Sequence, residues 1–323
     1  MNAIELSKIK NMLVERRQRV QQVVSMPGTK ASYINLLKEI DSALERMDSG
    51  TYGICLVCHE PIEDERLLIN PLISVCLGDM NEHQRRSLES DLDLANKMQR
   101  SMLPKNNLIT PHWEVYFHYE PAGIVSGDYC DIIESGEDKF FILGDVSGKG
   151  IAASMLMTHL NAMFRSMIPS GLGVAELVQR ASRLMCESTS SELYATLLCI
   201  KANNNGHLEI CNAGHPQPII INKNEIIKPT ANGIPIGLFC DSEYTISKIN
   251  LEKNDSLFMY TDGLTESFRG EEEFGIDRVA NLIFENRLNS SKGLTQGLLN
   301  EVERFIANSP KTDDLTMMTI KKL

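Results

Sequence analysis

Apolar residues recur along this chain first with a helical period and then, past Trp113, with the short runs and alternation of strands. Leu6, Ile9, Leu13, Val20 and Val24 stand at helical spacing among polar residues. Met26-Pro27-Gly28 breaks the pattern, and Tyr33, Leu37, Ile40, Leu44 and Met47 then recur at alternating steps of four and three. Two amphipathic helices around a Pro-Gly break predict an antiparallel hairpin. From Glu82 to Met102 the chain has neither Gly nor Pro. Leu88, Leu92, Ala95, Met98 or Gln99, and Met102 share one face there, and Pro104 ends the run. That pattern predicts one helix, either a spacer or a coiled-coil linker pairing two subunits.

Strands are predicted at Trp113 to Tyr119, from a Gly turn at 123–127 through Ile133, and at Lys139 to Leu143 with Asp145 at its end. Helices follow at Gly150 to Met167 and Val174 to Glu187, with their Met residues as core filler. A second set of strands covers 193–200, 207–211, 218–221, 244–249 and 256–260. Helices near Ile276 to Asn286 and Leu294 to Ala307 precede a last strand that begins at Thr312-Asp313-Asp314-Leu315-Thr316. This order predicts an α+β domain of two antiparallel β-sheets flanked by helices, an αββα sandwich. The expected domains are 1–80, a helical hairpin with a finger; 81–104, the linker helix; and 105–323, the large domain.

Composition narrows the setting. Hydrophobic residues make up 42% of the 323 and charged residues 23%, which is the balance of a globular protein. A net charge of −11 argues against a nucleic-acid binder, which needs a basic surface to displace counterions. No basic region precedes an apolar core at Met1 to Lys8, so no signal peptide is expected. No apolar run approaches a membrane span. Eight Cys are too sparse for a disulfide scaffold, and five sit singly, so a reducing, cytoplasmic setting is expected.

Two groups of residues carry candidate chemistry. Cys55 and Cys58 have the gap that lets two thiolates grip one tetrahedral ion, and Cys76 supplies a third. Asp79 is the leading fourth zinc ligand, with His83 and His59 as rivals. The second group comprises Asp128, Asp145, Asp262 and the pair Asp313-Asp314, all at predicted strand edges. Carboxylates gather only where cations neutralise them, and an all-oxygen set suits Mg²⁺ or Mn²⁺.

The residues Ala43-Leu44-Glu45-Arg46, Gly50-Thr51-Tyr52-Gly53-Ile54-Cys55, Cys58, Pro61-Ile62, Arg66-Leu67, Pro71 and Cys76 resemble the DksA/TraR-type zinc finger. That family places the finger at the base of a hairpin with an acidic tip that enters RNA polymerase. The tip here, Ser25 to Lys30, has no acid, so the polymerase role is not carried over.

The large domain resembles the SpoIIE/RsbU branch of the metal-dependent protein phosphatases, the type 2C or PPM family. The resemblance rests on Ser126-Gly127-Asp128-Tyr129-Cys130-Asp131, Gly144-Asp145-Val146-Ser147-Gly148-Lys149-Gly150, Asn212-Ala213-Gly214-His215-Pro216, Tyr260-Thr261-Asp262-Gly263 and Asp313-Asp314-Leu315-Thr316, in the family's order. The helix Leu92 to Pro104 resembles the regulatory linker of many members. The resemblance implies that Asp145 bridges two Mg²⁺ or Mn²⁺ ions and that the Val146 carbonyl ligates one. Asp128 would serve one ion, while Asp262 and Asp313 would hold the other, with Asp314 and Thr316 orienting that corner. It implies hydrolysis of phosphoserine or phosphothreonine on a protein, usually a STAS-type anti-sigma-factor antagonist. His215 reads either as a general acid or as a turn residue, and Lys149 has no assigned role. The expected partners are a phosphorylated protein substrate and a second copy of the chain through the linker, with no nucleic acid and no membrane. The competing expectation is a non-catalytic regulator that binds RNA polymerase or another protein through the finger hairpin.

Overall fold

The computed structural model describes residues 3–24, 31–79, 82–104, 107–188, 193–223, 225–227, 229, 233–307, 311 and 313–323. The predicted Pro-Gly turn and hairpin tip at 25–30 lie outside the described residues, as does Thr312. The chain divides into two compact units, Met1–Asp91 and Leu92–Leu323. The division falls inside the linker helix rather than at its predicted ends.

In the first unit, α1 (Ala3–Val24) and α2 (Ala31–Asp48) pack on Ile9, Leu13, Val20, Ile40 and Ala43. Lys10 pairs with Asp48 and Arg17 with Asp41, so one helix's numbering rises as the other's falls: the pair is antiparallel. Tyr33, predicted on the apolar stripe, is exposed, and Ala43 takes a place in the core instead. The finger follows, with α3 (Asp64–Ile69) and a 3₁₀ turn at Leu77–Asp79. Then comes α4 (Glu82–Met102). Its stripe runs through Gln99, which is 4% exposed, and not through Met98, which is 55% exposed.

The second unit holds β1 (Asn107–Ile109), β2 (Trp113–Glu120), β3 (Asp128–Ser135), β4 (Asp138–Val146), α5 (Ile151–Met167), α6 (Val174–Ser188), β5 (Ala195–Ala202), β6 (His207–Ala213), β7 (Ile219–Asn222), β8 (Glu225–Ile227), β9 (Ser247–Asn250), β10 (Ser256–Tyr260), α7 (Asp262–Thr265), β11 (Phe268–Arg269), β12 (Glu272–Glu273), α8 (Ile276–Glu285), α9 (Ser291–Ile306) and β13 (Leu315–Lys322). One sheet has the order β1-β2-β13-β10-β7-β8 and the other β3-β4-β5-β6-β9. Every pairing between their strands is antiparallel.

The period of two sorts side chains between layers. On β4, Phe141 and Leu143 enter the core between the sheets, while Phe140 and Ile142 face α5 and α6. On β10, Leu257 and Met259 enter the same central core, while Phe258 and Tyr260 face α8 and α9. Strands buried on both faces read as continuous apolar runs, and the layers are helices, sheet, sheet, helices as expected.

One pair of cysteines is joined, which the spacing did not predict. Cys186, at the end of α6, and Cys240 are joined by a disulfide with Cα atoms 5.4 Å apart. Their 54-residue separation hid the pairing from any spacing argument. Among the described residues, no helix is long and apolar enough to cross a membrane.

Candidate active site

Each sheet delivers acids to one edge. Antiparallel register sets Asp128 directly opposite Asp145, at the start of β3 and near the end of β4. In the other sheet, β10 ends where β13 begins, with Tyr260 opposite Met317. Thr261-Asp262-Gly263 therefore lies beside Asp313-Asp314, and the Thr261 amide donates to the Thr316 carbonyl at 3.0 Å. A Cβ at Gly263 would stand 2.0 Å from the Asp314 carbonyl oxygen, so only glycine permits this approach.

Side chains tie the two edges together. The Asp128 carboxylate, 1% exposed, accepts from the Thr261 hydroxyl at 3.0 Å and also from the Thr316 hydroxyl. Asp314 accepts from the Ala122 amide at 2.7 Å, the Gly127 amide at 2.9 Å and the Ser126 hydroxyl at 2.7 Å. The Ser126 oxygen accepts from the Asp128 amide at 3.0 Å. Gln99 of α4 clamps the same loop. Its amide nitrogen donates to the Ser126 carbonyl at 2.7 Å, and its oxygen accepts from the Ser126 amide at 3.0 Å. That reciprocal pairing is why a polar side chain lies buried on the apolar stripe.

The charges press on one another. Burial, then Asp262, Asp313 and Asp314, push the Asp145 carboxyl up to about 7, against a pull from Lys149. Burial and the Asp145 charge raise Asp128 well above the usual carboxylate range, although the Thr316 and Thr261 hydroxyls oppose the shift. Asp262 is raised by burial and by Asp313, and Glu266 by burial and by Asp262. Such a cluster favours bound cations. The Lys149 ammonium lies 3.1 Å from Asp313. Val146 is buried, and its carbonyl oxygen would stand 3.1 Å from a Cβ at Gly127.

Two motif residues add no charge to the edge, although the His215 Nδ1 lies 2.8 Å from the hydroxyl of Thr196, the strand neighbour of Asp145. Asp131 faces the other way and is held by Arg165 through two bonds, 2.7 and 2.9 Å, with further donors from Asn161 and Tyr129. His215 is buried, its imidazole pushed down to about 3 by burial. Its amide donates to Asn212 at 2.8 Å and its carbonyl accepts from Asn212 at 3.0 Å, which is a turn role. Sequence reasoning missed Gln99, Ser126 and Thr261 as organisers. Only Gln99 left a signal, as a polar residue on an apolar stripe.

The finger quartet is tighter. Cys55, Cys58, Cys76 and Asp79 bring one ligand atom each within 4.8 Å of one another. Cys58 and Cys76 sulfurs lie 3.7 Å apart. A tetrahedron built on Zn–S bonds of ~2.3 Å has edges of about 3.8 Å. The Val57 and Cys76 amides both point at the Cys55 sulfur at 3.4 Å. Burial pushes the Cys55 thiol up, but backbone amides outweigh it and leave its pKa lowered. A hydrogen bond to the Asp79 carboxylate favours the protonated thiol and pushes Cys58 up to about 12; a bound cation would take the place of that proton. His59 lies outside the quartet, and the side chain of His83 lies outside the described residues.

Residues 135–322 match the family of Stage II sporulation protein E (SpoIIE), and residues 50–78 match the prokaryotic dksA/traR C4-type zinc finger. The zinc-finger match ends one residue before Asp79. Protein IcfG of Synechocystis is 26% identical over 71% of this chain, which spans only 41% of that protein's length. Phosphoserine phosphatase RsbU of Bacillus subtilis is 23% identical over 78% of each chain. The SiaA-PP2C domain of Pseudomonas aeruginosa shares the fold, with a TM-score of 0.65 at 16% identity over 73% of this chain and 98% of that domain.

Proposed function

Because the chain belongs to the SpoIIE family, we propose that its acidic edge is the active site of a metal-dependent protein serine/threonine phosphatase. The observation that carries this reading is the meeting of Asp128 and Asp145 from one sheet with Asp262, Asp313 and Asp314 from the other. Asp145, Asp262, Asp313 and the Val146 carbonyl would hold two Mg²⁺ or Mn²⁺ ions, and Asp128 would serve one of them. When bound, the ions supply Lewis acidity toward a phosphoryl oxygen and lower the pKa of water.

The chain's own residues organise that chemistry. Thr261 and Thr316 aim Asp128, and Asp314 ties down the loop from Ala122 to Gly127. Gly148 and Gly150 take positive φ, which lets the backbone turn between the end of β4 and α5.

The substrate on this reading is phosphoserine or phosphothreonine on a regulatory protein, of the STAS type. One structural zinc ion would be held by Cys55, Cys58, Cys76 and Asp79, as the 3.7 Å sulfur spacing supports. The protein would act in the cytoplasm as a homodimer paired through α4.

The test is hydrolysis of p-nitrophenyl phosphate with and without Mn²⁺, by wild type and by Asp145→Asn. The expected outcome is Mn²⁺-dependent turnover that the variant loses. Equal rates from both proteins at full metal occupancy would sink the enzyme reading, and RNA polymerase binding without turnover would favour a non-catalytic regulator.

A further inference from the structure

Lys149 stands out in the acidic edge. The carboxylates there are Asp128, Asp145, Asp262, Glu266, Asp313 and Asp314. Among the described residues, Lys149 is the basic side chain whose charge acts on three of them, Asp145, Asp262 and Glu266, and it forms an ion pair with a fourth, Asp313. The lysine side chain is 63% exposed and Asp313 37%, so the pair sits at the mouth of the site and not beneath it. Gly148 has φ +93° and Gly150 φ +74°, and a Cβ at either would meet nothing within 4 Å. The two glycines therefore serve the backbone path that presents Lys149, not a close approach. A lysine carries its charge on a flexible stem, so the ammonium can move several ångströms while the backbone stays still.

This placement sets up a competition. A divalent cation held by Asp313 would compete with the ammonium for that carboxylate and repel it. Two divalent cations still leave six carboxylates with excess negative charge, and a phosphate dianion arriving there needs another cation. We infer that Lys149 is the ligand of the substrate's phosphate: its ammonium, held at the mouth of the site beside Asp313, swings to the phosphoryl oxygens on its flexible stem. The inference rests on the phosphatase reading of the site and adds a residue that binds substrate rather than metal.

The test uses the full chain, Lys149→Met and Lys149→Arg, with Mn²⁺ and inorganic phosphate as probes. Mn²⁺ binding is read by titration calorimetry, and phosphate binding is read the same way on Mn²⁺-saturated protein. Lys149→Met is expected to bind Mn²⁺ as tightly as wild type or a few-fold tighter, because the competing ion pair is gone. It is expected to bind phosphate on the order of tenfold more weakly, the scale of one lost charge-assisted hydrogen bond. Lys149→Arg keeps the charge and should recover most of the phosphate affinity. With p-nitrophenyl phosphate, the loss should appear mainly in KM.

Equal phosphate affinity in wild type and Lys149→Met overturns the inference, and so does a wild type that binds Mn²⁺ but no phosphate. Weaker Mn²⁺ binding in Lys149→Met also overturns it, since the lysine would then support the metal. If wild type hydrolyses nothing yet binds phosphate through Lys149, the subsite stands and the enzyme reading falls. If hydrolysis is present and phosphate binding ignores Lys149, the reverse holds.

Discussion

Asp314→Ala probes how the acidic edge is held together. Asp314 accepts three hydrogen bonds, from the Ala122 and Gly127 amides and the Ser126 hydroxyl. Ala122 is exposed, and its amide regains water when the carboxylate is removed. Ser126 and Gly127 are buried, so their donors are stranded, each at a cost of about 1–3 kcal/mol. Removing the Asp314 charge also relieves repulsion on Asp128 and Asp145, which its presence raises. One pKa unit of relief returns about 1.4 kcal/mol. The net expectation is a loss of about 1–5 kcal/mol, roughly 3 at mid-range. Urea unfolding in chelator-treated buffer measures it through the chain's single Trp, Trp113, buried in β2 between the sheets. With m near 3 kcal/mol/M, the midpoint should fall by roughly 1 M at unchanged m. A shift under about 0.2 M at unchanged m, with charge relief worth no more than this, would refute the idea that Asp314 holds the Ala122–Gly127 loop.

Three further outcomes are expected. Freshly purified protein should carry about one zinc per chain, Cys58→Ser should lose it, and Asp79→Cys should retain it longer against a chelator; zinc-free wild type would sink the finger site. A reductant should lower the melting temperature of the wild type but not of Cys186→Ser, because opening a 54-residue closure costs at most about 4 kcal/mol; a wild type indifferent to reductant would count against the bridge. Burial holds His215 neutral in the folded state, pushed down to about 3, whereas the unfolded chain takes up that proton below about 6.5. Its share of stability is therefore present above pH 6.5 and lost as pH falls toward 3, so between pH 7 and 5 the urea midpoint should fall more steeply in wild type than in His215→Gln. Equal slopes would refute that assignment.

Much of the architecture was legible because burial writes itself into local pattern. The run from Ser256 to Tyr260 was predicted with the bounds that β10 has, since both of its faces are buried. The amphipathic spacing of α8 and α9 was equally visible, with ends displaced by up to three residues. The short strands β1, β8, β11 and β12 were missed, being too brief for any period to show. Gln99 and Tyr33 show the limit of stripe reading: a stripe locates a face but does not say which of its edge residues is covered.

The order of elements, the α+β sandwich and the acids at strand ends can be read from the amino-acid pattern alone, because periodicity and turn residues are local properties of the chain. Which acids meet depends on how the two sheets pack. Asp128 and Asp131 are three residues apart with similar surroundings in sequence. Strand alternation sends one to Thr261 and Thr316 across the sheets and the other to Arg165 on α5. The Cys186–Cys240 bridge, the Gln99 clamp and the contact of Lys149 with Asp313 likewise join residues far apart in the chain. Such pairings depend on register and packing between elements, and no spacing along one strand or helix encodes them.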